Sequence, residues 1–540
     1  MVVNGRLRPL LGFDPAILDD EIQIPKSPVS AMLGTNLSPR VGDRKNIHKA
    51  VVDVRSDVSL LDEDIAQLQK ILDTLRNKRN GMECFIERHQ ALLSPIRQCP
   101  PEVLVIIFYY GTCAEDGNGQ VGYDKSPWIF GWICSEWRTL ALNTPKLWAK
   151  PILHLRSPCK NDVDMAKEWL RRAKECPLTL TLRGGSQAAT HPLMDVAVSH
   201  CERWESLKFD LSPSLLPSLA ATKDRLPRLV SLSTGRKNTL PERFSVFRTA
   251  PKLTHLSLGI YQDALHLKLR WTQLTTLSFT SRSDAALTLK ILKRCPNLVN
   301  CSVKFAKPLQ LQYTLPPVQI PHLQALYIQG TGNLSDLFDH LFLPSMLHLH
   351  IDLCSPEREA PHLVPDQLWV PQLTSLIQRS SCCLQSVNLK LDGRTTDGSE
   401  LLEFLAAVPS LTEFVIRDML GAEFANNIIQ RLAFRTNLNG TFSLVPLLKV
   451  FDISAMAPQF DDEAFMTMVW SRVVRDLDPT SKISSAGQRS STLRVIKLTL
   501  YLPSPECPLP DPASILAPFH ELRQRGTIIS VRYGRRKNHK

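Results

Sequence analysis

From about residue 200 onward, apolar residues return in a fixed local pattern, Pro-x-Leu-x-x-Leu-x-Leu. It reads PRLVSLST at 227, PKLTHLSL at 251, TQLTTLSF at 272, PNLVNCSV at 296 and PHLQALYI at 321. It continues as PSMLHLHI at 344, CCLQSVNL at 382, PSLTEFVI at 409, PLLKVFDI at 446 and STLRVIKL at 491, with a weaker copy, ERWESLKF, at 202. The leading apolar positions are Trp204, Leu229, Leu253, Leu274, Leu298, Leu323, Met346, Leu384, Leu411, Leu448 and Leu493. Successive steps are 21 to 25 residues up to Met346 and 27 to 45 beyond it. The end of each copy alternates as a half-buried strand does. In the copy at 251 this turns Leu256 and Leu258 inward and leaves Thr254, His255 and Ser257 for the surface. The stretches between copies supply helices, such as Ala285 to Lys293. A single unit of this size cannot bury its own leucines, so neighbours must stack.

The period fits leucine-rich repeats, with insertions in the C-terminal half. The Asn common in such repeats is mostly missing, which makes these copies irregular. The expected fold is α/β, with an irregular solenoid over 160–530. Ahead of it, DVDMAKEWLRRAKE at 162–175 has the spacing of an amphipathic helix, with Ala166, Trp169, Leu170 and Ala173 on one side. Leu178, Leu180 and Leu182 then alternate as a strand.

A different periodicity occupies 57–93. Leu61, Ile65, Leu68, Leu72, Leu75, Arg79, Met82, Ile86, His89 and Leu93 follow alternating steps of four and three, the seam of a coiled coil or helical hairpin. Asp62, Glu63 and Asp64 suit a helix start, and Asn80-Gly81 is the place for a break between two helices. Two roles are open for the seam. It mediates self-association through 61–93, or it folds back on the next domain. Residues 1–50, rich in Pro, Gly, Ser and charge, read as a mostly disordered lead.

Between seam and repeats, the segment 94–153 has two helix starts. Pro100-Pro101-Glu102 opens the first, followed by Val103, Leu104, Ile107 and Phe108. Ser126-Pro127 opens the second, with Trp128, Ile129, Ile133, Cys134, Trp137, Leu140 and Ala141. Asn143-Thr144-Pro145 ends it, and Leu147-Trp148 follow. These residues resemble the F-box, most closely the F-box-like proteins of fungi. The matching motifs are Pro-x-Glu-aliphatic-Leu-x-x-Ile-Phe (Pro100, Glu102, Val103, Leu104, Ile107, Phe108), then Val-Cys-x-x-Trp-Arg (Ile133, Cys134, Trp137, Arg138). Last comes Pro-x-Leu-Trp (Pro145, Leu147, Trp148). Cys99 replaces the usual Leu, and the polar loop from Gly111 to Ser126 is longer than in compact members.

The resemblance implies that this segment docks on the Skp-type adaptor of a cullin–RING ubiquitin ligase of SCF type. Pro100, Leu104, Ile107, Phe108, Cys134, Trp137 and Leu140 would contribute to docking, some of them as core. The repeats would receive a protein target, and the chain would be a non-catalytic substrate adaptor. The alternative is a repeat scaffold without a ligase, in which the F-box-like segment caps the first repeat.

Composition narrows the remaining classes. The chain has 540 residues, 43 % of them hydrophobic, a net charge of +12 and 13 Cys. The basic residues are spread out, which argues against a nucleic-acid partner. No 18-residue apolar run is present, so no membrane span is expected, and the Cys read as free thiols in a cytoplasmic or nuclear compartment. Gly117, Gly119 and Gly122 spell G-x-G-x-x-G, but neither the strand before it nor the acid some 20 residues after it is there. No catalytic motif, cofactor site or metal set emerges. His348 and His350 share a strand face near Cys354 without further ligands at tetrahedral spacing. The basic end, 531–540, reads as a solvated tail or a nuclear-import patch.

Overall fold

The computed structural model describes residues 24–113, 127–155, 160–185, 190–235, 240–281, 285–305, 316–330, 334–353, 369–390, 399–420, 422–433, 444–457, 460–473, 493–502, 516–524 and 526–535. The chain is mixed α/β, with a long N-terminal helix and a large parallel sheet. It divides into two compact units at Leu104/Val105.

The N-terminal unit holds a helix of 52 residues, Val41–Leu92, with no buried residue. Arg40 and Asp43 close its start, the Arg40 amide donating to the Asp43 carboxylate at 3.3 Å. Two expectations change here. The lead expected to be disordered to residue 50 is helical from Val41, residues 1–23 lying outside the described residues, and no second helix starts at Gly81. One glycine costs a helix only about 1 kcal/mol. Nothing lies within 4 Å of a Cβ built at Gly81, so it sits at the surface of a helix that runs through it. The short 3-10 turns Ser30–Met32 and Pro95–Gln98 flank the helix. The units divide inside the next helix, Pro101–Cys113, and so within the segment 94–153 rather than at its edge.

In the second unit, fourteen strands among the described residues form one sheet, from Ile152–His154 to Ile528–Arg535. They pair in chain order, every pair parallel. Val318–Gln319 and Leu341–Phe342 pair separately as a two-stranded parallel sheet. Parallel neighbours need a crossover between them, and helices such as Ala285–Leu292, Trp369–Ser380 and Asp462–Val473 supply it. The last strand extends through Arg535, so 531–535 belongs to the sheet rather than to a tail. Residues 536–540 lie outside the described residues.

Register places one apolar position of every copy on a single line. It runs Leu180, Leu207, Leu232, Leu256, Leu277, Cys301, Leu326, Leu349, Val387, Phe414, Phe451, Ile496 and Ile529. All are buried, and so are all eleven leading positions from Trp204 to Leu493. The backbone repeats a matching device. The amides of Thr275 and Thr276 both donate to the Thr254 carbonyl, and those of Val299 and Asn300 to Thr275. Those of Gln324 and Ala325 go to Val299, and the pattern continues to Arg494 and Val495 on Lys449. Each copy is thus fixed to the equivalent residue of the copy before it. Gly184 and Gly330 end two strands at φ +123° and +146°, against the carbonyls of Leu155 and Phe305. A side chain at either would meet that carbonyl and strain the backbone.

Candidate functional site

The F-box-like motifs resolve into specific contacts. Cys134 caps the helix Ser135–Leu142: its sulfur accepts from the Trp137 amide at 3.4 Å. Trp137 packs on Phe108 at 4.8 Å between ring centroids, and Phe108 stacks on Phe130 at 4.1 Å. The Arg138 Nε donates to the Gly131 carbonyl at 2.7 Å. The Cys-x-x-Trp-Arg spacing therefore builds a helix cap, an aromatic lock and a turn clamp from one short stretch. In Pro-x-Leu-Trp, Pro145 opens the 3-10 turn Pro145–Trp148, which drives Leu147 and Trp148 inward. The Trp148 indole donates to the Ala141 carbonyl at 2.9 Å, and the Trp169 indole donates to the Trp148 carbonyl at 2.8 Å. The Arg172 guanidinium lies over Trp128 at 4.0 Å and over Trp148 at 4.7 Å. Glu168 accepts from Arg171 and Arg172, and the Arg171 bond chiefly draws its carboxyl down to about 2.

The expected docking residues separate. Phe108 and Leu104 are buried. They serve as core, a role the helical spacing alone could not distinguish from docking. Trp137 and Leu140 are half-buried, and Pro100, Ile107 and Cys134 are exposed. The motif missed the exposed Ile106, Tyr110 and Trp132. Ile106, Ile107 and Tyr110 share one face of Pro101–Cys113 at spacings of one, three and four, and Trp132 and Ile133 are open as well. Trp132 is 71 % and Tyr110 70 % exposed. The signal available in the sequence was the apolar run VLVIIFYY itself, too continuous for one helix face to bury. The glycines 117, 119 and 122 lie outside the described residues.

The sheet offers a second face, made by the residues that alternate with the buried ladder. Ser233, Ser257, Ser278 and Ser302 stand side by side on successive strands, followed by Tyr327, His350 and Asn388. Beyond them the face becomes charged. Lys390 pairs with Asp352 at 3.4 Å and Arg417 with the buried Asp452 at 2.7 Å. His350 lies 5.9 Å from the Tyr327 ring. Burial pulls its imidazole below the ordinary value, with Lys390 and Arg417 adding to this against Asp352. A row of hydroxyls beside an aromatic and a band of fixed ion pairs offers hydrogen bonds and charge along several strands. Sequence alternation placed these residues outward, but only register shows which of them are neighbours. His348 and His350 share this face. Cys354 is outside the described residues, and no group of three or more His, Cys, Asp or Glu among the described residues is placed to hold a metal. No single helix among the described residues is long and apolar enough to cross a membrane.

No protein-family model matches the chain, and no curated protein is similar enough to it to count as a relative.

Proposed function

We propose that the chain is a non-catalytic substrate receptor of an SCF-type ubiquitin ligase. In this reading the F-box-like segment docks on a Skp-type adaptor. The repeats form a leucine-rich-repeat solenoid whose polar face takes a protein target. The observation that carries the docking half is the set of apolar side chains left open on a segment built around a tightly packed aromatic core. Ile106, Ile107, Tyr110, Trp132 and Ile133 remain exposed while Phe108 and Trp148 are buried. Open apolar area of this kind marks an interaction surface. The repeated register and recurring backbone bonds support the solenoid half. Such a receptor does no chemistry; it raises the local concentration of a target beside the ligase.

One observation favours the rival reading, a scaffold in which the segment is only a cap. Trp148, Trp169 and Arg172 interlock the segment with the helix Lys160–Arg172 that precedes the second strand. The experiment that separates the readings is capture of a purified Skp-type adaptor by the full chain and by Ile107→Asp with Trp132→Ala. Exposed anchors at a docking surface cost about 2 kcal/mol or more each when removed. Capture by wild type, lost in a variant with unchanged melting, supports the receptor. A folded wild type that fails to capture the adaptor overturns it and leaves the scaffold.

A further inference from the structure

We propose that the helix Val41–Leu92 is one half of an antiparallel two-stranded coiled coil formed with a second copy of this chain. The helix has 52 residues and buries none of them. Helices gain most of their stability from packing an apolar face. This one carries β-branched residues and glycines, which favour helix only weakly, and its apolar side chains are open. Leu72 is 46 %, Leu75 55 % and Ile86 52 % exposed.

The helix starts before the seam read from the sequence, and the seam starts with it. Stepping back from Leu61 by three and four gives Val58, Val54, Val51 and Ile47, all within the helix. The full seam therefore runs from Ile47 to His89. In heptad terms, the a positions are Val51, Val58, Ile65, Leu72, Arg79 and Ile86, and the d positions are Ile47, Val54, Leu61, Leu68, Leu75, Met82 and His89. Gly81 falls at c, away from the seam.

Charge decides the orientation. In a parallel pair in register, Arg79 would meet Arg79 at the centre of the interface and His89 would meet His89. Asp57 would also lie against Asp62. Two like charges facing each other out of water are costly. The antiparallel arrangement that overlaps the seam from Val51 to His89 pairs Leu72 with Leu68, Leu75 with Ile65, Arg79 with Leu61, Met82 with Val58, Ile86 with Val54 and His89 with Val51. Its flanks then match across the interface. Asp62 meets Arg76, Arg55 meets Glu83 and Asp64 meets Lys78, each twice by symmetry, and Ile71 meets Ile71 at the two-fold axis. No like charges face each other. Sliding the antiparallel pair by one heptad sets Arg55 against Arg76 in one direction and Asp62 against Glu83 in the other. Flanking charges of this kind select partner and orientation in coiled coils. The inference stands apart from any ligase role.

The test is sedimentation equilibrium of the full chain at micromolar concentration. Wild type should sediment at twice the chain mass. Leu72→Asp with Leu75→Asp should sediment as monomer, with the main thermal transition unchanged because no residue of the helix is buried. Asp62→Arg with Asp64→Lys should weaken the dimer by about tenfold or more, since four favourable pairs become repulsive. Adding Arg76→Asp and Lys78→Glu to that chain should restore it. A monomeric wild type, or a dimer indifferent to the seam substitutions, overturns the proposal. A charge-reversed dimer that the second pair of substitutions fails to rescue overturns the antiparallel arrangement.

Discussion

Trp148 is the side chain on which the helical segment and the start of the sheet both lean. It is 1 % exposed, meets Trp128 edge-on at 4.9 Å and Trp169 at 5.7 Å, and lies under Arg172. Its indole also holds the carbonyl of Ala141, near the end of the helix Ser135–Leu142. Truncation of a buried Trp to Ala costs about 3–5 kcal/mol through lost transfer energy and the cavity left behind. Trp148→Ala should fall in that range. Trp148→Phe keeps most of the apolar contact. It loses one hydrogen bond, worth about 0.5–1.5 kcal/mol, and weakens a cation–π contact worth about 0.5–1 kcal/mol. The expected order is therefore a loss of about 1–2 kcal/mol for Phe and well over twice that for Ala. A chain that divides into two compact units does not always unfold as one step, so the readout must be local. Hydrogen exchange of Ile152–His154 and Lys160–Arg172 under mild urea supplies it. If Trp148→Ala raised exchange there by an amount equivalent to less than about 1 kcal/mol, the aromatic lock would not be what joins these elements. Equal losses for Phe and Ala would assign the effect to the hydrogen bond instead.

Three further outcomes follow from buried polar groups. Arg472 is 1 % exposed and donates to the carbonyls of Leu432, Leu444 and Val445 at 2.8, 2.7 and 3.0 Å. Val445 also accepts from the Leu448 amide, so Arg472→Met strands chiefly two carbonyls and should cost about 2–6 kcal/mol, read by urea unfolding; Lys, lacking the forked geometry, should rescue only in part. Asp263 is fully buried, accepts from the Leu240 amide at 2.8 Å, and burial pushes its carboxyl above the ordinary 3.8. A raised acid is stabilising below its unfolded value, and that contribution is lost as pH rises from about 3.8 to its folded value. Asp263→Asn should keep the Leu240 bond and flatten the decline in melting temperature over that window, and an unchanged pH profile would refute this. Burial raises the thiols of Cys295 and Cys301 to about 12. Timed alkylation with peptide mapping at pH 8 should label exposed Cys84 and Cys134 first and reach these two only on unfolding.

The strand ladder was legible because burial on a parallel sheet leaves a short, strict signature. Every leading position from Trp204 to Leu493 marks the entry to a strand, and each is buried whatever the length of the preceding insertion. The helical seam was legible only in part. Ile47, Val51, Val54 and Val58 keep the spacing, but they are β-branched residues among Lys, Arg, Asp and Gly, and composition hid the period. Gly81 looked like a break because its propensity is poor, whereas the rest of a 52-residue helix outweighs it. In the F-box-like segment, motif positions were legible and their directions were not. Phe108 and Ile107 are adjacent in the chain, yet one is core and the other surface. Only the ring of Phe130 and the cap at Cys134 decide which faces inward. The polar face was hidden for another reason: a serine on one strand and a serine about 24 residues later become neighbours only through register.

Among the described residues, the sheet paired in chain order has two edge strands, and an uncovered edge is a template on which another chain can add a strand. The opening strand, Ile152–His154, is three residues long and offers little to copy. The closing strand, Ile528–Arg535, is eight residues long, with Ile528 exposed. It carries Arg532 and Arg535, and the sequence after it reads RKNHK. Two closing strands approaching each other would bring like charge together. That charge disfavours the joining of two closing strands. Salt screens such repulsion, so raised ionic strength lowers the barrier to pairing of two closing strands.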